Sequence, residues 1–191
     1  MLPRQAVWRP GAAKWHAHVN AVHVSAPMAD WLRNRGSLTA RLMARCQQFR
    51  VQRLSQETAM CLDDEYAAIG LARRAKVHER EVLLCCDGQA MIYGHTVVPL
   101  TASATQWPLF HALGEKSLGS TLFNDPQVIR GKLSFARLHA NHPLMRRLIG
   151  VQPQASAWGS LPARRSLFWR KGGCLLVTEI FLPGVLALAL E

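Results

Sequence analysis

The pattern of apolar positions predicts a β-hairpin in two parts of the chain, each consisting of two β-rich runs that flank a short turn. In REVLLCCDGQAMIYGHTVVPL, residues 80–100, two β-rich runs flank Asp87 and Gly88. Asp-Gly favours a tight two-residue hairpin turn. The first run is apolar at consecutive positions, which predicts a central strand covered on both faces. A second hairpin is predicted over RRSLFWRKGGCLLVTEIFLP, residues 164–183, with its turn at Lys171, Gly172 and Gly173.

Other segments predict two further strands and several short helices. Strands are indicated over residues 50–62 and 126–140, where apolar positions alternate loosely. Residues 26–49 fit two short helices broken at Gly36, with Ser37 capping the second. Further helices are predicted to end near Gly114, to start near Ser117 and to lie within 142–150.

The order of these elements predicts one α+β domain. Tight hairpins imply antiparallel pairing, so we expect a single antiparallel β-sheet with helices packed on it. The 191 residues fit a single domain, which we place at residues 25–191. Residues 1–24 lack a clear period and are predicted to form a loosely ordered N-terminal extension.

The charge and cysteine content narrow the classes of partner and compartment. A formal net charge of +11 suggests an anionic partner. The basic residues are spread along the chain without a block of five or six, which argues against nucleic acid. The apolar C-terminal stretch is too short to span a bilayer, so no membrane span is expected. Five cysteines without a CxxC motif predict reduced thiols in a cytoplasmic protein.

Sequence motifs for metal, phosphate or covalent chemistry are missing. The eight histidines include no HExxH and no third ligand at a recognisable spacing, so no metal is predicted. The chain also lacks GxSxG, GxGxxG and GxxxxGK[ST]. We therefore expect no cofactor.

Two charged residues are poorly explained as surface residues. Arg80 begins a buried strand, and Glu179 lies inside the apolar run LLVTEIFLP. If their faces meet one cavity, the arginine can bind a carboxylate with two hydrogen bonds and the glutamate can bind a hydroxyl. Two other interpretations stay open, namely a structural ion pair between them or an Arg80 at a solvated strand end.

Four motifs in order resemble the chorismate pyruvate-lyase (chorismate lyase) family. Its pattern is REILLC-DG, then GRTVVP, then LG-LF, then LLLTELFLP. This chain has REVLLC with Asp87-Gly88, GHTVVP at 94–99, LG and LF at 118–123, and LLVTEIFLP at 175–183. Near the front, Trp31-Leu32 and SLTAR at 37–41 also fit. The resemblance runs from about residue 28 to residue 184.

The resemblance implies a fold with helical flaps over a buried ligand pocket. It also implies a cofactor-independent lyase that converts chorismate to 4-hydroxybenzoate and pyruvate, the first committed step of ubiquinone biosynthesis. We expect it to be a monomer. In the family, the arginine of REILLC binds the carboxylate and the glutamate of TELFLP binds the ring hydroxyl, and these match Arg80 and Glu179.

Two backbone amides complete the ligand site that the resemblance implies. They match Leu38 and Leu118, and each follows a predicted N-cap, Ser37 or Ser117. Free N–H groups at a helix start favour anions. The arginine of GRTVVP is His95 here, so this secondary contact with substrate charge would be weaker or dependent on pH.

Two other classes of function remain as alternatives. Related folds serve as effector-binding modules of transcription regulators, so a non-catalytic domain that senses small aromatic acids is the second hypothesis. No DNA-binding motif accompanies the domain, which argues against a full regulator. A nucleic-acid binder would rest on the positive charge alone.

Overall fold

The computed structural model describes residues 11–103 and 105–188, and they form the predicted α+β fold. Seven strands build one sheet in the order β1-β2-β3-β7-β6-β4, with β5 also paired to β6. Every strand pair is antiparallel, as the hairpins predicted. The strands are β1 (Phe49–Met60), β2 (Lys76–Cys86), β3 (Gln89–Pro99), β4 (Ile129–Arg130), β5 (Ser134–His139), β6 (Ser160–Arg170) and β7 (Gly173–Phe181).

The two predicted hairpin turns are confirmed, and both use left-handed backbone. Asp87 and Gly88 have φ angles of 49° and 80°. Lys171 and Gly172 have φ angles of 49° and 78°. Positive φ at both central residues matches the twist of the flanking strands and is cheap for glycine. Gly173 belongs to β7, so the second turn is one residue shorter than predicted.

Five helices lie within the described residues, and the predicted break at Gly36 is confirmed. Ser37 caps α2 by accepting a hydrogen bond from the Ala40 amide. The helix predicted to end near Gly114 is instead one short helix, α3, followed by turns and a 3-10 segment. The helices are α1 (Ala26–Arg33), α2 (Leu38–Met43), α3 (Leu100–Ser103), α4 (Leu118–Asn124) and α5 (Pro143–Val151).

The strand predicted over residues 126–140 is two strands, because Gly131 interrupts it. A Cβ atom at Gly131 would lie 2.6 Å from the Trp169 ring, so only glycine fits there. The Gly131 amide donates to the Leu167 carbonyl at 2.8 Å, and β4 ends against β6. β5 then pairs with a different part of β6.

Within the predicted extension, residues 1–24, the described residues 11–24 pack on the domain. His16 forms a β-bridge with Phe135, and Val19 and Val22 are buried in the core. Residues 1–10 and 189–191 lie outside the described residues. The boundary at residue 25 therefore stays a prediction.

All five cysteines are free thiols in the structure. Over the described ranges, no helix combines the length and the hydropathy needed to cross a membrane.

The two faces of the sheet have different surroundings. On one face, α1 and α2 pack over β1 and β2 through a core that includes Trp31, Leu32 and Leu42. On the other, α5 packs through Leu144 and its neighbours. The site described next lies on the first face.

Candidate functional site

A cavity lies between the sheet and the starts of α2 and α4. Its floor consists of alternate residues of six strands, because successive side chains of a strand point to opposite faces. Its walls are mostly apolar, and its charged groups are three arginines and one glutamate, which are Arg80, Arg130, Arg164 and Glu179. All four residues predicted to contact a ligand, Leu38, Arg80, Leu118 and Glu179, line this cavity.

Arg80 enters the cavity from β2 as a buried cation. It is 2% exposed, which excludes the interpretation of a solvated strand end. Its Nη2 donates to the carbonyls of Gly114 and Lys116, each at 3.0 Å, while its Nε has no hydrogen-bond partner within the described structure. Burial, together with the charge of Arg53, lowers the pKa of Arg80 to about 10. A buried cation with an unused donor favours an incoming anion.

Glu179 pairs with Arg164 and not with Arg80. Arg164 lies directly opposite it on β6, and Arg164 Nε donates to Glu179 Oε2 at 2.5 Å. Arg164 is 1% exposed, and its Nη1 also donates to the carbonyls of Leu32 and Asn34 at 3.3 and 2.6 Å. Among the hydrogen bonds of residues 11–103 and 105–188, the one to the Glu179 carboxylate engages Oε2 and not Oε1. The arrangement fixes the carboxylate and leaves one oxygen for a ligand hydroxyl.

The role of Arg164 was missed from the sequence, although a signal for it exists. A two-residue turn at Lys171 and Gly172 pairs Arg170 with Gly173. Counting back along both strands from that pair brings Arg164 opposite Glu179. A charge opposite an isolated carboxylate is a strong candidate for its partner.

The starts of α2 and α4 meet over the cavity. Ser117 Oγ lies 2.5 Å from Thr39 Oγ1, so this hydroxyl contacts the other helix and does not cap its own. A Cβ at Gly119 would lie 2.8 Å from Thr39 Oγ1, so glycine permits this close approach. Leu38 and Leu118, the first residues of the two helices, are thereby brought to the same wall.

Arg130, on β4, is a second residue that sequence reasoning missed. Its Nε donates to Ser166 Oγ at 3.1 Å, and its Nη1 donates to the Arg35 carbonyl at 2.7 Å. Its guanidinium lies over the rings of Phe123 and Phe168. Nothing local in the sequence separates it from the other 22 Lys and Arg residues, because its place depends on long-range pairing of β4 with β6.

His95 does not contact the cavity, which corrects its suggested role as a secondary contact. It points to the opposite face of β3, where its ring nitrogens lie 3.0 Å from Glu65 Oε1 and 3.2 Å from Glu81 Oε1. Burial alone would lower its pKa, but the two carboxylates outweigh burial and raise the pKa to about 10. Arg147 bridges Glu81 and Glu79 beside it. These residues form an ionic cluster behind the sheet.

The cavity offers a poor ligand set for a metal, because Glu179 is the one carboxylate on its described wall and no histidine or cysteine joins it. In the ionic cluster, Glu79, Glu81 and His95 bring ligand-type atoms within 4.8 Å of one another. The Arg147 guanidinium already contacts both carboxylates there, and it supplies the positive charge that a metal would bring.

Comparisons with known proteins agree on one family. The model of the family described as chorismate lyase matches residues 9–188. The chain is 45% identical over 179 residues to a probable chorismate pyruvate-lyase of Cupriavidus metallidurans, covering 93% of this chain and 83% of the relative. It is 43% identical over 188 residues to a protein of the same description from Ralstonia nicotianae, covering 96% and 87%.

Solved structures share the fold at low identity. The effector domain of PhnF from Mycobacterium smegmatis matches with a TM-score of 0.55 at 13% identity, covering 78% of this chain and 90% of that one. The C-terminal domain of the histidine utilization repressor from Pseudomonas syringae pv. tomato matches with a TM-score of 0.53 at 8% identity, covering 75% and 96%. At these identities the likeness concerns the fold alone.

Proposed function

The chain belongs to the chorismate lyase family, and from this premise we propose that it is an enzyme that converts chorismate to 4-hydroxybenzoate and pyruvate. One observation carries the proposal most directly. A buried arginine without a carboxylate partner among the described residues, Arg80, shares an apolar cavity with Glu179, whose Oε1 is unused. A carboxylate at one end of a ring and a hydroxyl at the other would satisfy both groups.

Four residues hold the ring in this proposal. Arg80 binds the ring carboxylate through its free N–H groups, and the backbone amides of Leu38 and Leu118 add further donors. Glu179 accepts a hydrogen bond from the 4-hydroxyl, while Arg164 fixes the orientation of the carboxylate. The apolar walls exclude water, which strengthens each of these polar contacts.

The chemistry needs little covalent help from the protein. The C3–O bond breaks, and its electron pair stays on the enolpyruvate oxygen. The C4 proton leaves and the ring becomes aromatic, which drives the reaction. A proton added to the methylene carbon of enolpyruvate then gives pyruvate. The enzyme contributes orientation and electrostatic support, so it works without a cofactor.

The family resemblance also supports a cellular role. The 4-hydroxybenzoate made here enters ubiquinone biosynthesis, and the enzyme acts as a monomer in the cytoplasm. The free thiols fit a reducing compartment.

The deciding experiment is to mix the purified chain with chorismate and follow the absorbance of 4-hydroxybenzoate, with pyruvate measured separately by a coupled assay. Equal amounts of the two products are expected. The fold shared with effector domains keeps a second candidate in view, a sensor of small aromatic acids. Tight binding of 4-hydroxybenzoate with no turnover of chorismate would favour the sensor and refute the lyase.

A further inference from the structure

The charges in the cavity do not balance. Arg164 is neutralised by Glu179, but neither Arg80 nor Arg130 has a carboxylate partner among the described residues. With three guanidinium groups and one carboxylate, the described wall carries a surplus of two positive charges. Arg80 is buried and Arg130 is half-buried, and cations shielded from water are normally paired, so the surplus predicts a ligand with two anionic groups. A single ring carboxylate on Arg80 would leave Arg130 unexplained.

Arg130 is held in place by groups that do not neutralise it. Its Nε contacts a serine hydroxyl and its Nη1 a backbone carbonyl, at 3.1 and 2.7 Å. The rings of Phe123 and Phe168 have their centroids 5.5 and 5.3 Å from its Cζ atom. Its Nη2 has no hydrogen-bond partner in the described part of the chain. The guanidinium is therefore preorganised, with donors left for a ligand.

Arg130 and Arg80 approach the cavity from opposite sides. Arg80 belongs to β2, and Arg130 belongs to β4 at the far end of the strand order, four strands away. At about 4.8 Å per strand, their backbones are separated by roughly 19 Å along the sheet. Burial and the charge of Arg164 lower the pKa of Arg130 to about 10, against the opposing effect of Glu179. Glu179 belongs to β7, which is two strands from β4, so Arg130 is nearer to Glu179 than to Arg80 in the strand order.

We propose that Arg130 binds the second carboxylate of the substrate, the one on the enolpyruvyl ether. The inference rests on the proposed function. In chorismate the ether is attached to C3, next to the C4 hydroxyl and away from the ring carboxylate at C1. With the ring carboxylate on Arg80 and the hydroxyl on Glu179, the enolpyruvyl carboxylate lies on the Glu179 side, where Arg130 has its free donors.

This contact separates substrate from product. Chorismate carries two carboxylates, but 4-hydroxybenzoate keeps only the one on Arg80, because the other leaves with pyruvate. Arg130 therefore contributes to binding of the substrate and of the departing enolpyruvate, but not to binding of the aromatic product.

The test compares two stable aromatic ligands on wild type and Arg130→Gln. One is 4-hydroxybenzoate, with one carboxylate, and the other is 3-(carboxymethoxy)-4-hydroxybenzoate, which adds a second carboxylate on an ether at C3. The substitution should weaken the dianion about 30-fold more than the monoanion, the scale of a lost charge-assisted hydrogen bond. It should lower kcat/KM for chorismate by a similar factor. Equal effects on both ligands, or none, would overturn the inference.

Arg137→Gln is a matched control. Arg137 likewise contacts a serine hydroxyl and backbone carbonyls, those of Ser160, Val22 and His23, but it does not line the cavity. It should leave the ratio of the two affinities unchanged.

Arg130→Lys keeps a positive charge, so it keeps the inference testable if the glutamine variant fails to fold. It should retain part of the preference for the dianion, and a lysine variant that folds but behaves like glutamine would contradict the charge argument.

The outcomes separate this inference from the proposed function. If the wild-type chain forms no 4-hydroxybenzoate from chorismate, the proposed function fails. If wild type turns chorismate over and Arg130→Gln keeps the same kcat/KM and the same preference for the dianion, only the role of Arg130 is refuted.

Discussion

At the scale of single residues, the cavity depends on cations whose charge the protein does not fully neutralise. Arg80 combines near-complete burial with an unused donor, since its Nε lacks a partner in the described structure. Its Nη2 also holds the segment that leads into α4, through Gly114 and Lys116. The residue therefore has two tasks, binding an anion and positioning the wall beside it.

We expect Arg80→Ala to weaken binding of 4-hydroxybenzoate by at least about 2–3 kcal/mol, the scale of a charge-assisted bidentate contact. Arg80→Lys should recover little, because an ammonium lacks the planar fork. Isothermal titration calorimetry measures both. Arg50→Ala is the control, since Arg50 is 72% exposed on β1 and should not matter. Wild-type affinity in Arg80→Ala would contradict the pocket assignment.

For Glu179→Gln we expect turnover of chorismate to fall on the order of a hundredfold, the weight of a positioned acid–base group. The free energy of unfolding should also fall, by about 1–3 kcal/mol, because buried Arg164 loses its charged partner but keeps an oxygen acceptor. Thermal melting and a chorismate assay on the same preparation test both.

Asp125→Asn is the matched control for Glu179→Gln, because it removes the carboxylate of a more exposed ion pair, with Arg170 at 2.7 Å. It should lower the stability less than Glu179→Gln does and leave turnover unchanged. A Glu179→Gln variant with the wild-type rate would refute the catalytic role of Glu179.

At the scale of elements, the cover of the cavity depends on one close contact between two short helices. Thr39 on α2 and Ser117 before α4 share a hydroxyl–hydroxyl contact, and Gly119 leaves room for it. The two helices bring Leu38 and Leu118 to the same wall beside that contact. The close approach of the two helices over the cavity therefore depends on Gly119, which has no side chain.

Gly119→Ala should disfavour the closed arrangement by about 1–3 kcal/mol, the usual cost of overpacking. Because the clash is with Thr39 Oγ1, 4-hydroxybenzoate should dissociate faster, and Thr39→Ala in the same chain should restore part of its affinity. Stopped-flow fluorescence measures the rate. Gly150→Ala in α5, where a Cβ meets nothing within 4 Å, should leave dissociation unchanged. Unchanged dissociation in Gly119→Ala would show that this contact does not close the site.

Elements were predictable from the sequence where local chemistry decides them. Asp87-Gly88 and Lys171-Gly172 are turns because of their own backbone preferences. The glycine at the strand break, Gly131, was not predictable as a packing position, since the Trp169 ring that lies against it comes from β6. Arg80 and Glu179 stood out because charges are rare in apolar runs, whereas Arg130 has an ordinary sequence context and is placed by tertiary pairing.

At the scale of the whole molecule, the ionic cluster behind the sheet links stability to pH. Burial alone would raise the pKa of Glu81, but His95 and Arg147 lower it to about 2. The pKa of His95 is raised from 6.5 to about 10. The stabilisation from His95 is therefore complete below about pH 6.5 and is lost as pH rises through 10, and that from Glu81 is complete above about pH 4.5 and is lost toward pH 2.

We therefore expect His95→Gln to be less stable than wild type at pH 6, by on the order of a few kcal/mol, and the difference to shrink as pH approaches 10. Urea unfolding at pH 6, 8 and 10 measures this. At pH 6 the affinity for 4-hydroxybenzoate should stay close to that of wild type, because His95 faces away from the cavity. A constant stability difference across that range would refute the linkage.

The residues that line the cavity lead to a prediction about metal dependence. Because the cavity offers a single carboxylate and neither histidine nor cysteine on its described wall, treatment with EDTA should leave turnover of chorismate unchanged. The assay is run before and after dialysis against the chelator. A loss of turnover that zinc or magnesium restores would contradict cofactor-free chemistry.

The alternation of side chains along β2 and β3 limits how the chain can change length. Arg80 faces the cavity, and the next residue, Glu81, belongs to the ionic cluster on the other face. A substitution disturbs one face, but deleting one residue between Arg80 and the turn at Asp87 and Gly88 would exchange the two faces for Arg80 and the residues before it, because the turn fixes the register of the hairpin. Arg80 would then turn toward α5, and a carboxylate would enter a cavity built for anions. Insertions and deletions in this hairpin are therefore tolerable only at its turn, even where single substitutions along its strands are tolerated.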